Sequence, residues 1–213
     1  MPVYVDGIEQ GSLDWLRLRL AIPTASRFDS LITPAKGEPS KAAEGYMHEL
    51  LAEWITGQSA EGAQTVWMLR GQEFEAEARK FYAFERETQV RQVAFVYGDE
   101  SKRYGCSPDG LIGDDGGLEM KIPKPAVHVG YLLAGDMPDC YRPQVQGSMM
   151  VTGRAWWDFM SYSPGLPPLL VRVQRDEEYI GKIRKALDVL LDNFEKAKGT
   201  LISSGYGPRK EAA

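Results

Sequence analysis

The chain has 213 residues, of which 43% are hydrophobic and 26% charged, and its formal net charge is −5. This is the composition of a soluble globular protein. Two cysteines are too few for a disulfide scaffold or a four-thiolate metal site, and they fit a reducing compartment. The sequence has no apolar run of about 18 residues and no signal-peptide pattern, so we expect neither a membrane span nor secretion. An acidic total does not exclude a nucleic-acid ligand, because binding depends on the local field.

The N-terminal half of the sequence predicts helices separated by loops. Thr24 and Ser26 are alternative N-caps for a first helix, because either hydroxyl can accept a hydrogen bond from a free backbone N–H. Apolar residues then recur at helical spacing in two longer segments, divided by stretches rich in glycine, proline and polar residues. The predicted elements are a loop at 33–41, a helix at 42–56, a loop at 57–64 and a helix at 70–87.

The C-terminal half predicts a sheet followed by a long helix. Runs of β-branched and aromatic residues indicate strands, and a turn at 114–117 joins two of them in a hairpin. We expect Gly147 to interrupt the helix that contains it, Asp176 to cap the last helix and Gly199 to end it. The predicted elements are a strand at 90–97, a hairpin at 104–122, a helix at 141–151, strands at 155–162 and 169–174, and a helix at 177–198.

These elements predict an α/β (α+β) fold with a central sheet between helices. We expect residues 1–213 to form one domain. Residues 200–213 contain glycine and serine and then polar residues, so we expect them to be a flexible tail.

The hairpin carries the residues with the clearest chemistry. Side chains alternate between the faces of a strand, so Glu119 and Lys121 share one face and the apolar residues around them share the other. The turn then brings Asp109 roughly opposite Glu119. Two carboxylates beside an ammonium predict a site for a hard cation such as Mg²⁺, with Asp109, Glu119 and the carbonyl of Met120 as candidate ligands.

A site of this kind is suited to phosphodiester hydrolysis. A bound Mg²⁺ lowers the pKa of a coordinated water and polarises the phosphoryl oxygen. Lys121 can orient or deprotonate that water and offset the developing negative charge. A glutamate and a lysine on one strand face are more often a solvated ion pair, and a Pro-Asp-Gly sequence is also an ordinary turn signal.

The arrangement of a Pro-Asp pair, about ten residues and then Glu-x-Lys resembles the PD-(D/E)xK nuclease signature. Further segments occur in the same order as in the lambda-type phage exonucleases, the YqaJ-like viral recombinases, and the likeness runs from about residue 11 to residue 179. The resemblance implies a restriction-endonuclease-like core with a central mixed sheet. The matching segments are 15–26 (WLRLRLAIPTAS), 70–75 (RGQEFE), 106–111 (CSPDGL), 117–121 (GLEMK) and 144–149 (QVQGSM).

The resemblance also implies a role for each matching residue. Asp109, Glu119 and the Met120 carbonyl match metal ligands, and Lys121 matches the catalytic lysine. Glu75 matches a helix carboxylate that holds metal-bound waters and contributes to catalysis. Arg19, Ser26 and Trp15 match residues that bind the DNA end and its 5′-phosphate. Gln144 matches a catalytic glutamine that borders the active site.

Several of these roles have an ordinary structural alternative. Glu75 lies in a glutamate-rich helix and could be a surface residue, and Gln144 could be an amide cap. Ser26 could simply cap a helix, although a capped N-terminus beside an arginine is also a phosphate site. Trp15 could stack on a base or pack in the core.

Other notable residues are expected to be structural. We assign Trp156 and Trp157 to packing. His48 and His128 are too few and too far apart in sequence for a histidine metal site. Residues 123–140 match the family poorly and could change how DNA is gripped, but their sequence predicts no specific role.

The leading hypothesis is a 5′→3′ exonuclease that depends on one or two Mg²⁺ ions, with Mn²⁺ as the expected substitute. It would degrade one strand of linear double-stranded DNA to mononucleotides and leave 3′ single-stranded overhangs. The resemblance implies a phage or prophage protein in the cytoplasm of a bacterial host. It also implies a homotrimer that works with a single-strand annealing protein at DNA ends. The alternatives are a restriction-like endonuclease and a non-catalytic module that binds DNA ends.

Overall fold

The computed structural model describes residues 1–59 and 66–208, without the side chains of residues 66–73. In the described part of the chain, no helix is both long enough and apolar enough to cross a lipid bilayer. Two short 3-10 helices cover Ala25–Ser30 and Asp139–Tyr141. The α-helices are α1 (Leu13–Leu18), α2 (Ala43–Thr56), α3 (Val66–Glu85), α4 (Pro125–Ala134), α5 (Arg142–Thr152) and α6 (Glu177–Ser203).

The strands form two sheets. A small antiparallel sheet has the strand order β1-β3-β4, and a larger mixed sheet has the order β2-β5-β6-β7-β8. The larger sheet is antiparallel except between β6 and β7, which run parallel. The strands are β1 (Val3–Val5), β2 (Val90–Arg91), β3 (Phe95–Tyr97), β4 (Gly105–Cys106), β5 (Gly110–Ile112), β6 (Gly116–Lys121), β7 (Trp156–Ser161) and β8 (Leu169–Gln174).

Strand β6 lies at the centre of the larger sheet and separates two environments. On one face, Leu118 and Met120 pack into a hydrophobic cluster that includes Ala78 and Tyr82 of α3. The intervening residues point to the other face because side chains alternate along a strand. The apolar face therefore anchors the strand on α3 and leaves the charged face for a site.

Helix α5 packs within the main hydrophobic core, where nearly all of its residues are buried. Gly147 does not interrupt this helix, contrary to our expectation. A Cβ atom at Gly147 would lie 2.4 Å from Cδ2 of Phe28, which belongs to the first 3-10 helix. The glycine is therefore explained by close packing between two helices.

Strand β6 also begins with a close approach, at Gly116 and Gly117. A Cβ atom at either position would lie within 2.3 Å of the indole ring of Trp156 or Trp157 on β7. The turn itself occupies residues 113–115, so the two glycines predicted within the turn belong to the strand. Trp157 is fully buried in the core, which confirms its packing role.

The predicted strand at 90–97 is wrong as a single element. Val90–Arg91 pairs with β5 in the larger sheet, whereas Phe95–Tyr97 pairs with β1 and β4 in the smaller one. The predicted hairpin at 104–122 is divided in a similar way, because β4 joins the small sheet and only β5 and β6 form the hairpin. A segment rich in β-branched and aromatic residues indicates a strand, but it does not indicate that the pairing partner changes along the segment.

The helices differ from the sequence prediction at several places. Helices α1 and α4 and the second 3-10 helix were not predicted, and the segment after Thr24 is a 3-10 helix without a side-chain cap. Helix α3 begins before residue 70 and ends at Glu85. Helix α6 continues through Gly199 to Ser203, so the start of the expected tail is helical. Of the predicted loop and tail, residues 60–64 and 209–213 lie outside the described residues.

Candidate active site

The two predicted acidic residues meet across the hairpin. Gly110 pairs with Leu118, and continuing this antiparallel register by one residue sets Asp109 opposite Glu119. The backbone N–H of Met120 donates a hydrogen bond to Oδ2 of Asp109, with an N···O distance of 2.5 Å. Glu119 is only 2% exposed and Asp109 is half-buried. The hairpin therefore holds two carboxyl groups in one partly buried place.

Lys121 completes this site from the same strand face. Its Nζ lies 2.6 Å from Oε1 of Glu119 and donates to Oε1 of Gln144 at 3.1 Å. The side-chain amide of Gln144 in turn donates to the same Glu119 oxygen at 2.7 Å. Helix α5 thus contributes one side chain that contacts both the carboxylate and the ammonium.

The charges in this site are strongly coupled. Burial raises the pKa of Asp109 well above its ordinary value, and the negative charge of Glu119 raises it further. Burial lowers the pKa of Lys121, but the charges of Glu119 and Asp109 outweigh burial and leave that pKa raised. The site therefore combines repulsion between carboxylates with a stabilised ammonium.

Helix α3 approaches the site with Glu75. The negative charge of Glu75 is the smallest of the causes that raise the pKa of Asp109. One turn later on the same helix, Nε of Arg79 donates to the backbone carbonyl of Asp109 at 3.1 Å. This bond fixes the α3 surface that carries Glu75 to the loop that carries Asp109.

The donor atoms of the site fit a hard divalent cation. Oδ1 of Asp109 and Oε2 of Glu119 accept no hydrogen bond from the described residues, whereas their partner oxygens do. A cation between these carboxylates would offset the repulsion that raises the pKa of Asp109. Among the described residues, no three His, Cys, Asp or Glu side chains cluster closely enough for a ready-made metal site. Mg²⁺ needs fewer carboxylates, because it retains several waters.

The three residues predicted to bind a DNA end also lie together. The guanidinium carbon of Arg19 is 4.2 Å from the centroid of the Trp15 ring. Nη2 of Arg19 donates long hydrogen bonds, of 3.4 Å each, to the hydroxyls of Thr24 and Ser26. These two hydroxyls are 3.1 Å apart. A guanidinium and two hydroxyls form a group of donors suited to a phosphate.

Trp15 joins this group to the acidic hairpin. Its indole N–H donates to the carbonyl of Ala94 and to the Ser107 hydroxyl, at 3.0 Å in each case. Ser107 lies two residues before Asp109. The tryptophan is half-buried, with its N–H turned into the protein and one ring face covered by Arg19.

A pocket of about 450 Å³ opens beside Arg19. Its wall has both charges, since Arg27 forms a 2.7 Å ion pair with Glu49. The guanidinium carbon of Arg27 lies 4.7 Å from the ring centroid of Tyr46. The Tyr46 hydroxyl accepts a hydrogen bond from the backbone N–H of Thr24. The lining residues are Arg19, Ile22, Thr24, Arg27, Tyr46, Glu49, Leu50, Glu53 and Ser59.

A family model described as the YqaJ-like viral recombinase domain matches residues 14–155, a range that includes the acidic hairpin, Lys121 and Gln144. The chain belongs to this family. The match confirms the resemblance seen in the sequence. A search of curated proteins gave no match.

The solved structure of one relative supports the same membership in the YqaJ-like family. The alkaline exonuclease LHK-Exo from Laribacter hongkongensis is 31% identical, with a TM-score of 0.82 over 91% of this chain and 98% of that chain. The structure of LHK-Exo in complex with dAMP gives the same values. A phage-related exonuclease from Haemophilus somnus 129PT is 16% identical, with a TM-score of 0.65 over 86% of this chain and 96% of that chain, and shows the shared fold. The expected nuclease fold, a mixed sheet flanked by helices, is confirmed.

Some residues of the site in this YqaJ-like protein were not singled out from the sequence. Arg79 follows Glu75 by four residues and Tyr141 precedes Gln144 by three, so helical spacing could have suggested both. Tyr141 lies with its ring centroid 5.1 Å from Nζ of Lys121. Thr24 was considered only as a cap.

His128 and Trp156, which were assigned to structural roles, both contact other parts of the fold. His128 is fully buried, and its ring nitrogens contact the Ser161 hydroxyl at 2.7 Å and the Pro167 carbonyl at 2.8 Å. His48 is exposed on α2. Trp156 is half-buried, and the guanidinium carbon of Arg172 lies 3.7 Å from its ring centroid.

Proposed function

We propose that this protein is a Mg²⁺-dependent 5′→3′ exonuclease. It degrades one strand of linear double-stranded DNA to mononucleotides and leaves 3′ single-stranded overhangs. The observation that carries the proposal is the contact of Lys121 with Glu119 and Gln144 beside Asp109. Membership in the YqaJ-like family and the likeness to LHK-Exo, an alkaline exonuclease, support it.

The metal would be held by oxygen atoms of the hairpin. Asp109, Glu119 and the carbonyl of Met120 are the proposed ligands, and Glu75 would act through a bound water. When bound, Mg²⁺, or Mn²⁺ in its place, would supply an activated water and polarise the phosphoryl oxygen. One oxygen of each carboxylate accepts no hydrogen bond from the residues that the structure describes, which supports this assignment.

The catalytic work of the chain itself falls to Lys121 and Gln144. The Lys121 ammonium can donate a hydrogen bond to the attacking water or to a phosphoryl oxygen, and its charge stabilises the negative charge that develops on the phosphate. Gln144 fixes both Lys121 and Glu119 through its amide, which limits the freedom of the long lysine side chain.

The end of the DNA would be recognised by Arg19, Ser26 and Trp15. Arg19 and the Ser26 hydroxyl are donors for a terminal 5′-phosphate, and Thr24 adds a second hydroxyl beside them. Trp15 would support the last base or the arginine. A pocket for a terminal phosphate favours digestion from an end over cutting within a strand.

The biological setting is proposed from family membership alone. We propose a homotrimer that encircles DNA and acts with a single-strand annealing protein in phage recombination. The protein would be encoded by a phage or prophage and act in the cytoplasm of a bacterial host.

An assay with a linear duplex tests the activity and its direction. One preparation carries a label at the 5′ ends and another at the 3′ ends. With Mg²⁺ we expect early release of the 5′ label as a mononucleotide, while the 3′ label stays on long strands. A chelator should stop the release of nucleotides. Early release of the 3′ label would refute the direction, and no release with Mg²⁺ or Mn²⁺ would refute the activity.

A further inference from the structure

The ammonium of Lys121 lies against an aromatic ring as well as against its polar partners. Its Nζ is 5.1 Å from the ring centroid of Tyr141, the last residue of the second 3-10 helix. The Lys121 side chain is 26% exposed, so most of its surface is shielded from water. A cation over a ring is stabilised more strongly as water is removed.

The ring of Tyr141 is held on two sides. It stacks on Phe159 of β7, with centroids 5.2 Å apart and an interplanar angle of 30°. Tyr131 of α4 meets it edge-on at 6.3 Å, and the two hydroxyls are 3.2 Å apart. Phe159 is the register partner of Glu119, so the aromatic group lies directly beside the acidic pair.

The ring contact differs from the other two contacts of Lys121 in one respect. The ammonium and the Gln144 amide both bind the same oxygen of Glu119, a residue proposed as a metal ligand. A cation at Glu119 would draw negative charge from that oxygen and weaken the hydrogen bonds that it accepts from Lys121 and Gln144. The Tyr141 ring does not depend on Glu119, so it can hold the ammonium whether or not the metal is bound.

We infer that Tyr141 is a positioning residue that holds the Lys121 ammonium over its ring, with Tyr131 and Phe159 fixing the ring. The inference rests on the function proposed for Lys121. It gives helix α4, within the segment whose sequence predicted no role, a task in the active site. Tyr141 itself does not react.

Kinetics of two Tyr141 variants test this role. Tyr141→Leu removes the ring and should lower kcat about 3- to 30-fold, as expected for loss of a shielded cation–π contact. KM for DNA ends should stay within about 2-fold, because the ring holds a catalytic group and not the substrate. Tyr141→Phe keeps the ring and should recover most of the lost kcat.

Phe194→Leu is the matched control. Phe194 lies on α6 in the main core, with Nζ of Lys198 5.3 Å from its ring centroid. The change removes a buried ring beneath a lysine, but outside the site, so kcat should be unchanged at a temperature where the variant is folded.

A spectroscopic measurement is independent of activity. The ring current of Tyr141 should shift the NMR signals of the Lys121 ε-methylene protons upfield in the metal-free protein and in Tyr141→Phe, but not in Tyr141→Leu. A missing shift in the wild type would refute the contact. The positioning role is wrong if the wild type digests DNA and Tyr141→Leu has the same kcat. It is also wrong if Tyr141→Phe lowers kcat as much as Tyr141→Leu does. If the wild type digests no DNA, the proposed function fails instead.

Discussion

Lys121 contacts both an acidic and an amide side chain of the site. Its ammonium lies 2.6 Å from Glu119 and hydrogen-bonds Gln144. We expect Lys121→Ala to lower the rate of nucleotide release about 100-fold or more, because a positioned acid–base or electrostatic group contributes about that much. Release of labelled nucleotide from a linear duplex with Mg²⁺ measures the effect.

DNA binding provides the check on this variant. Binding to a duplex end, measured in a chelator, should be nearly unchanged in Lys121→Ala. Lys185→Ala, at an exposed position of α6, should leave both release and binding at the wild-type level. Unchanged nucleotide release from Lys121→Ala would show that the lysine has been assigned wrongly.

Arg19 allows a second prediction, which concerns recognition of the DNA end. The wild type should digest a duplex with 5′-phosphates faster than one with 5′-hydroxyls, because the Arg19 guanidinium and the nearby hydroxyls would bind the phosphate. Arg19→Ala should digest both duplexes at the same slow rate. Initial rates on the two duplexes measure the preference, and a preference that survives the substitution would exclude this role for Arg19.

The sequence predicted the residues of the site that lie close together along one hairpin. Asp109, Glu119 and Lys121 follow from strand alternation and one turn, and the structure brings them together. Strand alternation does not predict Arg79 and Tyr141, and helical spacing only places them on the same faces as Glu75 and Gln144. They reach the site through contacts of α3 with a loop and of a 3-10 helix with β7, which depend on tertiary packing.

At the scale of elements, the contact between α5 and the first 3-10 helix makes a prediction about stability. Gly147→Ala would place a methyl group 2.4 Å from the Phe28 ring, so we expect a loss of about 1–3 kcal/mol in the free energy of unfolding. Gly181→Ala, on an exposed part of α6 with no atom within 4 Å, should gain about 0.5–1 kcal/mol. Urea unfolding measures both. Equal effects of the two changes would contradict the packing explanation for Gly147.

Elements with a strong internal pattern were predicted well. Helix α2 and strands β7 and β8 agree with their predicted bounds within a residue or two, because their apolar periods are clear. The segment at 90–97 was wrong because its two ends belong to different sheets. Helix α4 was missed because it is short and follows a proline-containing stretch that resembles a loop.

For the whole molecule, DNA topology separates the proposed exonuclease from a restriction-like endonuclease. A covalently closed circle has no 5′-phosphate end, so it should remain intact with Mg²⁺. The same plasmid cut once should be degraded from its ends. Gel electrophoresis of the two substrates over time measures this, and conversion of the circle to linear or nicked DNA would favour the endonuclease.

The Arg19 group and the acidic hairpin are joined through backbone as well as side chains. Thr24 bridges to Gly105, the N–H of Gly105 donates to the carbonyl of Pro23, and Trp15 binds Ser107. The residues proposed to bind the strand terminus and those proposed to cleave it are thus connected by hydrogen bonds within one fold. Under the proposed function, the length of each excised piece is set by the protein's own dimensions and is the same for every base sequence.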